Sequence, residues 1–193
     1  MELKGERLIP ASRDATWAAL NDADTLKACI AGCESLERTG PDSLTAVVAM
    51  KVGPVSARFK GNVAMTNVKA PNSYTINFDG QGGVAGFGKG SADVVLVPEG
   101  DATRLTYLAR ATVGGKMAQI GSRLIDATAG KLTEDFFQAF ENQLRARNPA
   151  MADATAPAEG GADRRPASSD SRRTAWYVAG AIVLAALIYF VMR

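Results

Sequence analysis

The chain has 193 residues, with 22 Lys and Arg against 20 Asp and Glu, two cysteines and no histidine. A charge this close to balance argues against a nucleic-acid partner, which requires a basic excess or stripe. The lack of histidine removes the commonest general base, pH switch and metal ligand together.

The opening segment "MELKGERLIP" has no apolar stretch of the kind a signal peptide needs and reads as a first strand. "SRDATWAAL" then predicts a short helix, with Ser12 as N-cap and Trp17 and Leu20 facing inward. A second short helix is expected over Asp24–Ile30, ended by Gly32. It carries Cys29, with Cys33 just beyond. That C-x-x-x-C spacing, with no second pair, does not make a four-ligand zinc site and reads as two thiols of a reduced cytoplasmic protein.

Period-two patterns follow. They run through Leu44, Ala46, Val48 and Met50; through Val55, Ala57, Phe59, Gly61, Val63 and Met65; and through Tyr74, Ile76 and Phe78. Ala92, Val94 and Leu96 continue the series, then Leu105, Tyr107, Ala109 and Ala111. Such alternation, with turn residues such as "APNS" and "PEGDA" between runs, predicts antiparallel strands with one face buried.

Between two of these strands lies "GGVAGFGKGS", Gly82 to Ser91, which superficially resembles a phosphate-binding loop. The spacing fails on mechanism. Gly90, not Ser or Thr, follows Lys89, and a strand rather than a helix N-terminus comes next, so no row of free amides faces a phosphate. The glycines fit instead a bent strand pair, as the tip of a hairpin or the mouth of a pocket, with Phe87 a lone large apolar group among small ones.

Met117, Ile120, Leu124, Thr128, Leu132, Phe136, Phe140 and Leu144 then recur every three or four residues, widened by Ile125, Phe137 and Ala139. They predict one helix of about 28 residues, roughly 40 Å long. A curved antiparallel sheet followed by one long helix buries that stripe only by wrapping it. The expected class is therefore α+β with a helix-grip shape over residues 1–147.

Residues 148–174 lack large apolar side chains except Met151 and read as a disordered linker with a reach of roughly 30 Å. Residues 175–192, "AWYVAGAIVLAALIYFVM", carry no charge and measure about 27 Å as a helix, the thickness of a bilayer core. They predict one transmembrane helix. Arg164, Arg165, Arg172 and Arg173 precede it and only Arg193 follows, which places the folded part in the cytoplasm as a tail-anchored domain at the cytoplasmic membrane.

The stretches "WAALNDADTLKACIAGCESLERTG", "KVGPVSARFKGNV", "GFGKGSADVVL", "TRLTYLARATVGGKMAQIGSRLID" and "DFFQAF" resemble the CoxG family of carbon monoxide dehydrogenase subunits, within the START-like, or SRPBCC, superfamily. The match runs from Trp17 to Phe140, and its "IAGC" turn and "GGKMAQIGSRLI" segment are especially characteristic. The resemblance implies the helix-grip fold, with apolar ligands held between sheet and long helix. It also implies recruitment of a molybdenum hydroxylase, such as carbon monoxide dehydrogenase, to the cytoplasmic membrane and a link to respiratory quinone, menaquinone or ubiquinone. No covalent cofactor and no metal are implied.

The residues expected to line an apolar slot are Phe59, Tyr74, Ile76, Phe78, Phe87 and Tyr107 from the strands and Met117, Ile120, Gly121, Leu124 and Thr128 from the helical segment. Tyr74 or Tyr107 would hydrogen-bond a quinone carbonyl. Two other readings stand beside this one: lipid transfer without a dehydrogenase partner, and a cavity enzyme such as a cyclase using Asp126 or Tyr107 as acid or base.

Overall fold

The computed structural model describes residues 2–147. It is an α+β fold built on a single seven-stranded antiparallel sheet. The strands are β1 (Glu2–Ile9), β2 (Cys33–Gly40), β3 (Ser43–Val52), β4 (Val55–Lys69), β5 (Ser73–Gln81), β6 (Phe87–Glu99) and β7 (Ala102–Gly114). Their spatial order is β1-β7-β6-β5-β4-β3-β2, so the first strand closes onto the last and β1 and β2 form the two edges. Helices α1 (Arg13–Leu20) and α2 (Ala23–Cys29) carry the chain from one edge to the other. A 3-10 turn, Gly115–Ile120, then leads into the long α3 (Ser122–Arg147).

The strands form where the sequence alternates, and most of the expected inward set is buried, with Met50, Val55, Ala57 and Tyr107 only half-buried. Leu44, Ala46 and Val48, Phe59, Val63 and Met65, Tyr74, Ile76 and Phe78, and Ala92, Val94 and Leu96 are all buried, with less buried residues between them. Ser12 caps α1 by accepting a hydrogen bond from the amide of Ala15, satisfying a donor that the first helical turn leaves over. Cys29 is buried and Cys33 half-buried, and both are free thiols. Burial pushes the Cys29 thiol up to about 11 and also raises Cys33, so both stay protonated near neutral pH.

Helix α3 is about 39 Å long by its rise. It buries Ile125, Ala129, Thr133, Phe136, Phe137, Phe140 and Leu144. Three cross-links fix it. Arg7 of β1 donates to Glu134 (2.9 and 2.8 Å) and Glu141 (3.0 Å), and its guanidinium lies 5.7 Å from the centre of the Phe137 ring. At the far end Arg147 pairs with Asp22, just before α2. Phe136 stacks on Phe140 and meets Phe137 edge to face, with centroids 5.8 and 5.4 Å apart.

Two features differ from the sequence expectation. Strand β2 is additional. Its segment "CESLERTG" buries only Leu36 and shifts register twice against β3, so it shows no clean alternation. The helix also begins later than Met117. Gly121 adopts φ +99°, a left-handed-side conformation that side chains resist, and it separates the 3-10 turn from α3. Within α3 the buried face also differs from the expected stripe: Leu124 is exposed while Ile125 and Ala129 face the core. Among the described residues no helix is long and apolar enough to cross a membrane, and the linker and span expected over 148–174 and 175–192 lie outside the described residues.

Candidate functional site

The inner face of the sheet is laid out in rows. Tyr74 of β5 stands opposite Val94 of β6, which stands opposite Tyr107 of β7, which stands opposite Gly5 of β1. The neighbouring row holds Met65, Ile76, Ala92, Ala109 and Leu3. The next holds Val63, Phe78, Gly90 and Ala111. In the second and third rows the large side chains thus sit on β4 and β5 and the small ones on β6 and β7, whereas the first row carries Tyr107 on β7.

Rings lean into the gaps the small residues leave. A Cβ on Gly82 would lie 1.8 Å from the Phe59 ring, one on Gly90 2.9 Å from Phe78, and one on Gly5 2.5 Å from the Tyr107 hydroxyl. Within the glycine-rich stretch, Gly82 lies under the Phe59 ring, whereas a Cβ on Gly86 or Gly90 would first meet backbone oxygens, those of Gly114 at 2.0 Å and Arg110 at 2.1 Å. The stretch itself is a 3-10 turn over Gly83–Ala85 followed directly by strand β6, with no helix N-terminus for a phosphate.

Two buried hydroxyls on this interior have no hydrogen-bond partner among the described residues. Tyr74 is 2 % exposed, packs edge to face on Trp17 with centroids 5.4 Å apart, and has its ionisation pushed far up by burial, so it is a neutral donor at any physiological pH. Thr133 of α3 is 7 % exposed and equally unpartnered. Buried hydroxyls normally find partners, because leaving one unpaired costs about 1–3 kcal/mol. Tyr107 is half-buried, its ring 5.9 Å from that of Phe137, and burial raises its pKa as well.

The eleven residues expected to line the slot separate into two groups. Phe59, Tyr74, Ile76, Phe78 and Met117 are fully interior, and Tyr107 partly so. Phe87, Ile120, Gly121 and Leu124 lie instead at one end of the domain, where Phe87 is 43 % and Leu124 42 % exposed. Thr128 is on a half-exposed flank of α3 and donates its hydroxyl to the Leu124 carbonyl at 2.7 Å. Sequence reasoning missed Thr133. Its signal was a single polar residue on the stripe of Ile125, Ala129, Phe136 and Phe140.

The outer face carries a different concavity. A groove of about 880 Å³ crosses six strands, from Thr39 of β2 to Arg110 of β7, walled by Ser43, Asn62, Asn77, Asp79, Lys89 and Arg110 and floored by Leu44, Val63, Phe78, Gly90 and Ala111. Its walls are polar, with Asn62 donating to Asp79 (3.2 Å), and Arg110 is ion-paired with Glu2 (3.1 Å), so it does not suit an apolar guest. Asp126, the alternative acid or base, is exposed on α3. Among the described residues no three His, Cys, Asp or Glu side chains gather into a metal-binding group.

Comparison with known proteins agrees with this architecture. The family model for CoxG, described as a subunit of carbon monoxide dehydrogenase, matches residues 5–145. A conserved protein from Geobacillus kaustophilus is 31 % identical, with a TM-score of 0.72 over 76 % of this chain and 96 % of its own. A START superfamily protein from Mycobacterium smegmatis is 16 % identical (TM-score 0.60, 76 % and 99 % covered), and a Streptomyces aromatase/cyclase 11 % identical (0.58, 77 % and 97 %). At those identities the last two report the fold alone. No curated protein matches the chain.

Proposed function

We infer, from the premise that the chain belongs to the CoxG family of carbon monoxide dehydrogenase subunits, that it is a non-catalytic adaptor which holds a hydrophobic ligand between sheet and α3. The family description associates it with carbon monoxide dehydrogenase, and the START-like fold suits a ligand-binding role. The finer reading is that residues 175–192 anchor the domain at the cytoplasmic membrane, that it recruits a molybdenum hydroxylase there, and that the ligand is respiratory quinone, menaquinone or ubiquinone.

The observation that carries the ligand reading is the unpartnered Tyr74 hydroxyl in an apolar interior. A quinone suits such a place because its isoprenoid tail gains from dry apolar walls while a ring carbonyl accepts one hydrogen bond. Tyr74 would donate that bond, Thr133 is the second donor, and Phe59, Ile76, Phe78 and Met117 would bound the tail. Binding of this kind requires no acid, base or nucleophile from the chain. Electron transfer would belong to the partner's cofactors.

The test is to purify the full chain from membranes in mild detergent, extract it with organic solvent and identify the co-purifying lipid by mass spectrometry. An isoprenoid quinone in near-stoichiometric amount is expected, and it should be depleted in Tyr74→Phe. Bulk phospholipid alone would favour general lipid transfer. Turnover of an apolar substrate by the purified protein would favour the cavity-enzyme reading. A pull-down from the same membranes identifies the partner.

A further inference from the structure

Three connections meet at one end of the domain: the β3–β4 turn, the β5–β6 turn and the 3-10 segment that opens into α3. Their contact is direct. A Cβ on Gly53 would lie 3.0 Å from the Leu124 side chain and 3.9 Å from Ile120. One on Gly115 would lie 2.5 Å from the Gly86 Cα, and the Phe87 ring covers Gly114. This end presents apolar side chains to solvent: Val84 is 85 % exposed, Phe87 43 % and Leu124 42 %.

The charge around them is one-sided. Residues 51–55, 82–90 and 113–125 contain Lys51, Lys89, Lys116 and Arg123 and no Asp or Glu, in a chain that is otherwise nearly balanced; Asp126 is the first acid beyond them on α3. Lys51, Lys116 and Arg123 are exposed, whereas Lys89 stands opposite Asp79 in the sheet and contributes less. Apolar tips ringed mainly by cations match the boundary of an anionic bilayer, where acyl chains take the tips and headgroups meet the cations. A protein partner would more often present a flatter apolar patch with both signs of charge at its rim.

We propose that this end of the domain docks onto an anionic lipid surface, with Val84, Phe87 and Leu124 entering the headgroup boundary and Lys51, Lys116 and Arg123 contacting lipid phosphates. The proposal rests on the membrane-adaptor reading and deepens it, since it states which side of the domain the membrane meets. Geometry permits both attachments at once. Helix α3 starts at this end and its last residue, Arg147, lies about 39 Å away along the helix, while the 148–174 segment extends to about 90 Å at full stretch.

The test uses the full chain in nanodiscs of phosphatidylcholine with or without phosphatidylglycerol, followed by hydrogen–deuterium exchange. Amides of residues 83–88 and 115–121 should be protected in the anionic discs. The double variant Lys116→Glu/Arg123→Glu should lower that protection by roughly tenfold or more, because each cation at an anionic surface counts substantially. Unchanged exchange in β4 and β5 shows that the variant is folded. Equal protection in both lipids, protection indifferent to the charge reversals, or no protection at all would overturn the proposal. So would protection in detergent that grows with protein concentration, which would assign this end to a second copy. A chain that carries quinone without docking refutes only this inference, and one that docks without ligand refutes only the carrier reading.

Discussion

On the carrier proposal, the cost of the Tyr74 hydroxyl in the empty chain becomes a gain on binding. Without ligand it is buried and unpaired, so Tyr74→Phe is expected to leave stability unchanged or raise it by about 1 kcal/mol. With a carbonyl-bearing ligand the same change removes a hydrogen bond, and affinity should fall roughly tenfold. Thermal unfolding with and without ligand reads both arms. Loss of stability in the ligand-free variant would mean that the hydroxyl has a partner inside the protein. The glycines give a second contrast. Gly82→Ala drives a methyl group into the Phe59 ring, 1.8 Å away, at an ordinary φ of −112°, and is expected to cost about 1–3 kcal/mol by overpacking. Next to it, Gly83 has nothing within 4 Å and φ +60°, so Gly83→Ala costs only the left-handed backbone, about 1 kcal/mol. Paired denaturant titrations distinguish the two. Equal costs would show that Phe59 swings aside freely.

At the scale of elements, α3 is fastened to the edge strand β1 through Arg7, and this tie predicts a dependence on pH. The hydrogen bond from Arg7 holds the Glu134 carboxyl below its usual range, outweighing the smaller opposing effect of burial. A depressed folded-state value means that the stabilisation is fully present above the unfolded pKa and is lost as pH falls through the folded one. The native chain should therefore unfold at a higher temperature than Glu134→Gln at pH 7, and the difference should shrink as pH falls below the usual carboxylate range. A difference that persists in acid would mean that Glu134 acts through packing, not charge. The same element shows how far the sequence is legible. Five strands declare themselves because a period of two places Phe59, Tyr74, Ile76 and Leu105 on one face, and β1 lies where the opening segment predicts it. Strand β2 does not, because an edge strand with bulges and only Leu36 buried carries no period. The C-terminal stripe is in phase from Phe136 onward and out of phase before it, because steps of four drift about 40° each around a helix of 3.6 residues per turn, so counting back from Phe136 by fours leaves Leu124 about a third of a turn away. The interior part of the candidate site, Phe59, Tyr74, Ile76, Phe78 and Met117, follows from alternation and spacing. Thr133 does not, since a threonine in a helix looks like a surface residue until the neighbouring phenylalanines are placed. Nor does the seat of Tyr107 over Gly5, which depends on pairing across about a hundred residues.

At the scale of the whole molecule, an adaptor must do two separable things: hold its partner and hold its place. On the adaptor proposal the first task falls to the domain and the second to residues 175–192; within the domain the ion pair of Arg147 to Asp22 ties the end of α3 to the short helices. A chain cut after Arg147 keeps every cross-link described above, whereas one cut after Leu144 loses that pair. If residues 175–192 are the anchor, deleting them should move the protein from membranes to the soluble fraction while a pull-down still recovers the dehydrogenase. The enzyme itself should then leave the membrane fraction in step with the deleted chain. The effect on electron flow to the membrane should exceed the effect on complex formation, because tethering supplies effective concentration and not contact energy. Should the enzyme remain at the membrane after the deletion, it has another means of attachment and the adaptor role falls. Should it be lost from the pull-down as well, the docking surface lies in the deleted segment rather than in the domain.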